Sequence, residues 1–316
     1  MFPAPNLCFT CKNFGMIREM KRGLAPVKAG IIGGGAIGLL FAAYLSRNHQ
    51  ITLYTNKEEQ ASIIKREGVS VIKDGVSTTS FPDATSSRNY AEELLIVTVK
   101  QFQLREILTR LIDEKPKTIL FLQNGMGHIK SLRQLRGHLL YTGSVSHGAE
   151  KRGARTVLHN GTGTTVFSPF PEGEESMSIH SLAANDFPFH FHHSWYEVLA
   201  DKLLVNACIN PLTALLGVAN GTLLENPHYF SLLEKVFNEV FPLLNLNDPF
   251  LKWEHVQNVC QATASNTSSM LKDIQLNRKT EIEAIAGYIL ERAAEKNKQA
   301  PVVSFLYEAV KGMESS

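Results

Sequence analysis

The stretch DKLLVNACINPLTALLGVAN, residues 201–220, carries Lys202, Asn206 and Asn210 at four-residue intervals. On a helix such side chains advance about 40° per step, so all three share one narrow face. A solvated face normally bears several charges, and a core face bears neither a lysine nor two amides. An ammonium group stabilises developing negative charge and delivers a proton. Neutral amides beside it bind a carboxylate or hydroxyl without forcing the lysine to give up that proton. The same spacing also arises when a lysine reaches for solvent and asparagines bond nearby backbone, so spacing alone leaves two readings. Pro211, directly after the last amide, is expected to bend or interrupt the helix.

A second chemical motif lies near the start, in GIIGGGAIGLL. Gly33-x-Gly35-x-x-Gly38 follows a strand-like run and opens a helical one, the setting in which a glycine loop cradles a pyrophosphate. Residues Gly33, Gly34, Gly35, Ala36, Ile37 and Gly38 are the expected cofactor contacts. About 20 residues on, a carboxylate usually ends the second strand when the cofactor lacks a 2′-phosphate. Here that strand ends LYTNKEEQ. Asn56 and Lys57 at this point favour NADP(H), although Thr55-Asn56 also suits a helix cap.

Other residues carry chemistry and an ordinary alternative. Lys100 and Asn124 end apolar runs, where parallel strands bind ligands, but Asn-Gly is also a turn signal. Thr280-Glu281-Ile282-Glu283 matches a capping box with Glu283 in the reciprocal place, which leaves Glu281 for a cleft. His190, His192 and His193 have no acidic or cysteine partner beside them, and Cys8 and Cys11 form a lone CxxC, so no metal is expected. Cys208 suits packing better than nucleophilic attack.

These residues need elements to position them. The first half alternates strand-like and helix-like runs, from VKAGIIG to TILFLQ, as in a parallel sheet covered on both faces. GVSVIKDGVSTTSF reads as a hairpin about Asp-Gly, and TVLHNGTGTTVFSPF as a second antiparallel pair. After NDFPFHFHHSW the pattern turns helical, and Pro301 suits a first turn. The expected fold class is α/β: residues 1–26 a loosely ordered extension, 27–190 a Rossmann dinucleotide-binding domain, and 191–316 an all-α domain.

Length and charge narrow the function. A chain of 316 residues favours two domains, and a net charge of +2 gives no support for nucleic acid or an anionic membrane as partner. No apolar run reaches the roughly 18 residues of a membrane span, no secretory signal is apparent, and four scattered cysteines suit a reducing cytoplasm.

VTVKQFQ (97–103), LQNGMG (122–127), KLLVNACINPLTAL (202–215) and SSMLKDIQLNRKTEIEAIAGYIL (268–290), in this order, resemble the ketopantoate reductase family over about residues 28–313. The resemblance implies an N-terminal Rossmann domain and a helical domain of the 6-phosphogluconate dehydrogenase C-terminal type, with the active site between them. It implies NADPH-dependent reduction of ketopantoate to (R)-pantoate, on the route to pantothenate and coenzyme A, by a monomer or homodimer. Lys202 takes the general-acid position, while Asn124, Asn206, Asn210, Asn220 and Ser269 take substrate positions. Lys100, Asn124, Ala149 and Glu281 take positions near the cofactor. Reduction of a different 2-oxo acid, or NADPH sensing without turnover, stay open as alternatives.

Overall fold

Runs such as LLIV and TILF leave no polar face, so their strands belong inside a sheet covered on both sides. The computed structural model describes residues 26–314, and the Cys8/Cys11 pair and the expected extension up to residue 25 lie outside them. Twelve strands follow in chain order: β1 (Lys28–Ile32), β2 (Gln50–Tyr54), β3 (Val69–Lys73), β4 (Val76–Ser80), β5 (Asp83–Thr85) and β6 (Leu94–Val97). Then come β7 (Thr118–Phe121), β8 (Leu139–Val145), β9 (Gly148–Arg152), β10 (Thr156–Gly161), β11 (Thr165–Phe170) and β12 (Phe189–Phe191).

Eight of them form one sheet, ordered β12-β11-β8-β7-β6-β1-β2-β5. From β5 to β8 every pairing is parallel; β11 then runs antiparallel to β8. The order reverses between β1 and β6, and the carboxyl ends of these two strands open the crevice where such sheets bind ligands.

The other four strands form a second sheet, β4-β3-β10-β9. Its β3–β4 hairpin turns at Asp74-Gly75, both left-handed with φ of 51° and 77°, as a tight two-residue turn requires. The run 156–170, however, is not a hairpin. β10 pairs with β3 and β9, whereas β11 pairs with β8 and β12 in the larger sheet. Alternation identified both strands but not their partners, and the three residues between them carry the chain from one sheet to the other.

Setting aside one-turn helices, the first half contains α1 (Ala36–Leu45), α2 (Glu58–Glu67) and α3 (Gln101–Leu111). α1 is apolar all round because it lies between the two sheets, touching β1 and β2 on one side and β3, β9 and β10 on the other. Leu39, Leu40 and Phe41 are fully buried there, each worth roughly 1.5–3 kcal/mol.

From Trp195 onward the described chain is helical: α4 (Trp195–Leu216), α5 (Pro227–Val240), α6 (Pro249–Ala262), α7 (Ser269–Gln275), α8 (Tyr288–Glu295) and α9 (Pro301–Glu314). α4 starts where the Ser194 hydroxyl accepts the Glu197 amide (3.2 Å) and stops at Gly217, whose φ of 67° closes the helix. At 22 residues it is long and apolar enough by length and composition to cross a membrane, although Lys202, Asn206 and Asn210 interrupt its apolar runs. It serves as a core helix instead: 72% of its apolar window is buried within the protein. α5, α6, α7 and α9 surround it, and it also packs on β8 and β11. Pro211 does not end it: the helix continues to Leu216, with Pro211 itself buried among its neighbours. One apolar cluster runs from Val97 and Phe121 in the sheet through Leu203 and Leu204 to Val310, so the two halves share a core behind the crevice.

Candidate active site

The crevice at the reversal point opens into a cleft of about 2240 Å³, walled by the sheet's carboxyl edge on one side and by α4, α7 and their loops on the other. Lys202, Asn206 and Asn210 all line it, and the intervening Leu203, Leu204, Ala207 and Cys208 are buried in the core. The polar stripe therefore faces a cavity, neither bulk solvent nor packed core.

Gly33 leaves β1 with φ of 123°, a conformation that disfavours a side chain. Gly34, Gly35, Ala36 and Ile37 line the cleft, while Gly38 does not: it lies against β1, where a Cβ would stand 1.7 Å from the Gly33 carbonyl oxygen. Gly35, at the helix N-terminus, has open space over its missing side chain. This is a concave, amide-lined floor of the kind that admits a pyrophosphate.

At the end of β2, Asn56 and Lys57 both line the cleft. Neither Thr55 nor Asn56 caps α2: the Thr55 hydroxyl donates to the Lys57 carbonyl (2.9 Å), and Asn56 Oδ1 accepts from the Arg88 guanidinium. Arg88 brings a second cation to this end, from a loop with no motif to announce it. Lys151 on β9 is a further residue that the motifs missed: its Nζ donates to the Gly34 carbonyl (2.8 Å), which also accepts from Gln60 Nε2 (2.9 Å). Ala149, two residues earlier on β9, lines the same wall.

Lys100 reaches across the cleft. Its Nζ pairs with Asp273 Oδ2 of α7 (2.6 Å) and donates to the Lys279 carbonyl (3.1 Å), so in this structure its charge is already matched by a residue of the helical domain. Asp273 lies four residues after Ser269, on the same face of α7, and that spacing is the signal in the sequence that points it to the cleft. A second bridge runs the other way, from Lys272 of α7 to Glu150 of β9 (2.7 Å).

Asn124 donates through Nδ2 to Glu281 Oε2 (2.9 Å), joining the end of β7 to the helical domain. Gly125 makes this approach possible: at φ of 77° it sits so near the Ala284 carbonyl that a Cβ would be 2.2 Å from that oxygen. Thr280 accepts the Ile282 amide (3.1 Å), but Glu283 does not complete a capping box. The Thr280 amide and hydroxyl both donate to Glu314 Oε1 (2.7 Å each), and Glu283 accepts from the Tyr307 hydroxyl (2.7 Å). A residue of α9, 34 positions away, takes the reciprocal role and fixes the segment that carries Glu281.

Burial pushes the Lys202 ammonium down to about 8, while the charge of Glu281 opposes the drop. Its Nζ donates to the Val145 carbonyl at the end of β8. Burial likewise raises Glu281, with the Asn124 amide and the Lys100 charge working against it. Asn220 spends its amide nitrogen on Thr263 (2.9 Å), leaving a buried Oδ1 without a partner at the cleft wall. Ser268 caps α7 and accepts from Thr213 (2.8 Å), whereas Ser269 is exposed to the cleft. His190 is exposed on the edge strand β12, and His192 accepts the Ser194 amide (3.1 Å). Cys208 is a buried free thiol whose pKa burial raises, so it packs and does not attack.

Two family models match the chain: "Ketopantoate reductase PanE/ApbA" over residues 29–172 and "Ketopantoate reductase PanE/ApbA C terminal" over residues 195–314. A 2-dehydropantoate 2-reductase of Bacillus subtilis (strain 168) is 43% identical, the match covering 91% of this chain and 98% of that protein. The crystal structure of a probable 2-dehydropantoate 2-reductase from Bacillus subtilis superposes with a TM-score of 0.83 at 43% identity, covering 91% of this chain and 100% of the other. The ternary structure of D-mandelate dehydrogenase with NADH and anilino(oxo)acetate shares the fold at 22% identity, with a TM-score of 0.82 over 92% of this chain and 98% of that one.

Proposed function

The chain belongs to the ketopantoate reductase family, and from that premise we infer that it reduces 2-dehydropantoate to (R)-pantoate, an oxidoreductase reaction in which Lys202 supplies the proton and NADPH the hydride. The observation that carries this reading is the stripe of Lys202, Asn206 and Asn210 facing the glycine loop across one cleft.

Hydride arriving at a ketone carbon leaves negative charge on the oxygen. Lys202 answers it twice, first by attraction and then by giving up a proton. With its pKa near 8 the ammonium is mostly protonated at neutral pH yet transfers more readily than a free lysine. Asn206, Asn210, Ser269 and the open Oδ1 of Asn220 offer neutral groups for the substrate's carboxylate and hydroxyl. Glu281, held by Asn124, keeps a carboxylate near Lys202 and favours its charged form. The glycine loop and Ala149 are the residues that would hold the cofactor, and the backbone floor at Gly35, clear of side chains, fits a pyrophosphate. Glu281→Gln is expected to move the alkaline limb of the rate profile below the wild-type value, because the charge that raises Lys202 is gone. A limb that stays in place would remove Glu281 from this role.

The choice of NADPH over NADH rests on the end of β2, where Asn56, Lys57 and Arg88 line the cleft. Glu58, the nearest acid in sequence, is turned to Ser86 and Ser62. Two buried free thiols, Cys208 and Cys260, support a reducing, cytoplasmic setting. The test is absorbance of the reduced nicotinamide after mixing with ketopantoate. Turnover with NADPH is expected, with kcat/KM for NADH lower by about tenfold or more, the loss of one charge-assisted contact. Equal rates would overturn the charge argument, and reduction of a different 2-oxo acid alone would overturn the substrate.

A further inference from the structure

The acids of the cleft are nearly all spoken for. Glu150 is bridged by Lys272 (2.7 Å) and Arg152 (2.6 Å), Asp273 by Lys100 (2.6 Å), Asp201 by Lys252 (2.5 Å) and Glu106 by Arg110 (3.2 Å). Among the described residues, Lys57, Lys151 and Arg278 line the same cleft with no carboxylate in ion-pair contact. Lys151 is tied to the glycine loop through the Gly34 carbonyl (2.8 Å). Lys57 stands where β2 hands over to α2, the place of an adenosine ribose in this architecture. Arg278 comes from the opposite wall, in the turn after α7 that its own amide closes on the Asp273 carbonyl (2.8 Å). The Lys272–Glu150 bridge draws that helix onto β9, next to Lys151.

We propose that Lys151, Lys57 and Arg278 form a phosphate clamp across the cleft, with Arg278 bringing the helical domain onto the 2′-phosphate of the adenosine ribose. This rests on the reading of the site as an NADPH site and adds a residue from the other domain to it. Asp273, already paired with Lys100, is the carboxylate that feels the Arg278 charge, and the Lys151 ammonium is still pushed down by burial and by repulsion from the charges of Arg278 and Lys57. A phosphomonoester dianion placed among them reverses that repulsion, and the guanidinium fork of Arg278 matches its geometry. Because Arg278 and Lys151 lie on opposite walls, the clamp draws the walls together, and the phosphate thereby favours a closed cleft around the substrate.

The experiment is calorimetric titration of the full chain with adenosine 2′,5′-bisphosphate and, separately, with adenosine 5′-monophosphate. Wild type is expected to prefer the bisphosphate, and Arg278→Met to weaken it by roughly tenfold to a hundredfold while leaving the monophosphate unchanged. KM for NADPH should rise with it, and KM for NADH should not. Lys151→Met is the second variant, followed by thermal melting because it also loses the Gly34 anchor. Arg278→Met that keeps the wild-type preference, or that weakens both nucleotides equally, overturns the clamp. Wild type with no preference at all overturns the NADPH reading as well, so the two failures are distinguishable.

Discussion

Lys202→Ala is expected to lower kcat for ketopantoate reduction by about a hundredfold or more, the size of a lost acid–base contribution. The lysine is the one cation on the polar stripe of α4, and its ammonium donates to the Val145 carbonyl at the end of β8. That bond holds the group at the cleft floor without neutralising it, so charge and proton both remain for a substrate oxygen. NADPH binding is the control, since the glycine loop lies on the other wall and should be untouched. The pH profile gives an independent test. Burial sets the Lys202 pKa to about 8, so the acid is present below that value and lost as pH rises through it. Reduction should therefore decline above about pH 8 in the wild type. Lys202→Arg keeps the charge but holds its proton far too tightly, so it should bind substrate, turn over poorly and lose the limb near 8. An alanine variant with wild-type kcat, or a limb unmoved in the arginine variant, would end the assignment.

What the sequence made legible here was whatever repeats with the period of an element. Lys202, Asn206 and Asn210 share a face because four residues make just over one helical turn, and the cleft lies on that face. The glycine loop was legible for a related reason: its spacing encodes a turn, an approach and a packing contact in six residues. The partners were not legible, because they come from far along the chain. Lys151 meets Gly34 across 117 positions and Lys100 meets Asp273 across 173, and no local pattern records either meeting. The capping box failed for the same reason. Thr280 and Glu283 have the right spacing, but Glu314 of α9 lies closer to the Thr280 amide once the helices pack. The 156–170 pair failed in the other direction: local alternation was correct for both strands, and the choice of sheet was made by β8 and β3.

The glycines of the loop separate the two duties that the motif combines, and replacing each with alanine should show it. At Gly38 an added Cβ would stand 1.7 Å from the Gly33 carbonyl oxygen and 2.8 Å from Thr98 Oγ1. The carbonyl belongs to backbone, so no rotamer change relieves the clash, and α1 must move off β1. α1 is buried between two sheets and has no free direction in which to move. Gly38→Ala is therefore expected to cost ~3 kcal/mol in stability, the upper end of overpacking, and to lose NADPH binding with it. At Gly35 nothing lies within 4 Å of the added carbon, and φ of −81° with ψ of −172° is open to any residue. Gly35→Ala should thus melt with the wild type yet bind NADPH roughly tenfold to a hundredfold more weakly, because the methyl fills the space above the helix amides that a pyrophosphate needs. Denaturant unfolding and NADPH titration of the two variants decide the matter. If Gly35→Ala binds as well as wild type, the open floor beneath it is not where the cofactor's phosphates lie. If Gly38→Ala is as stable as wild type, the tight contact between α1 and β1 does not hold the loop in place.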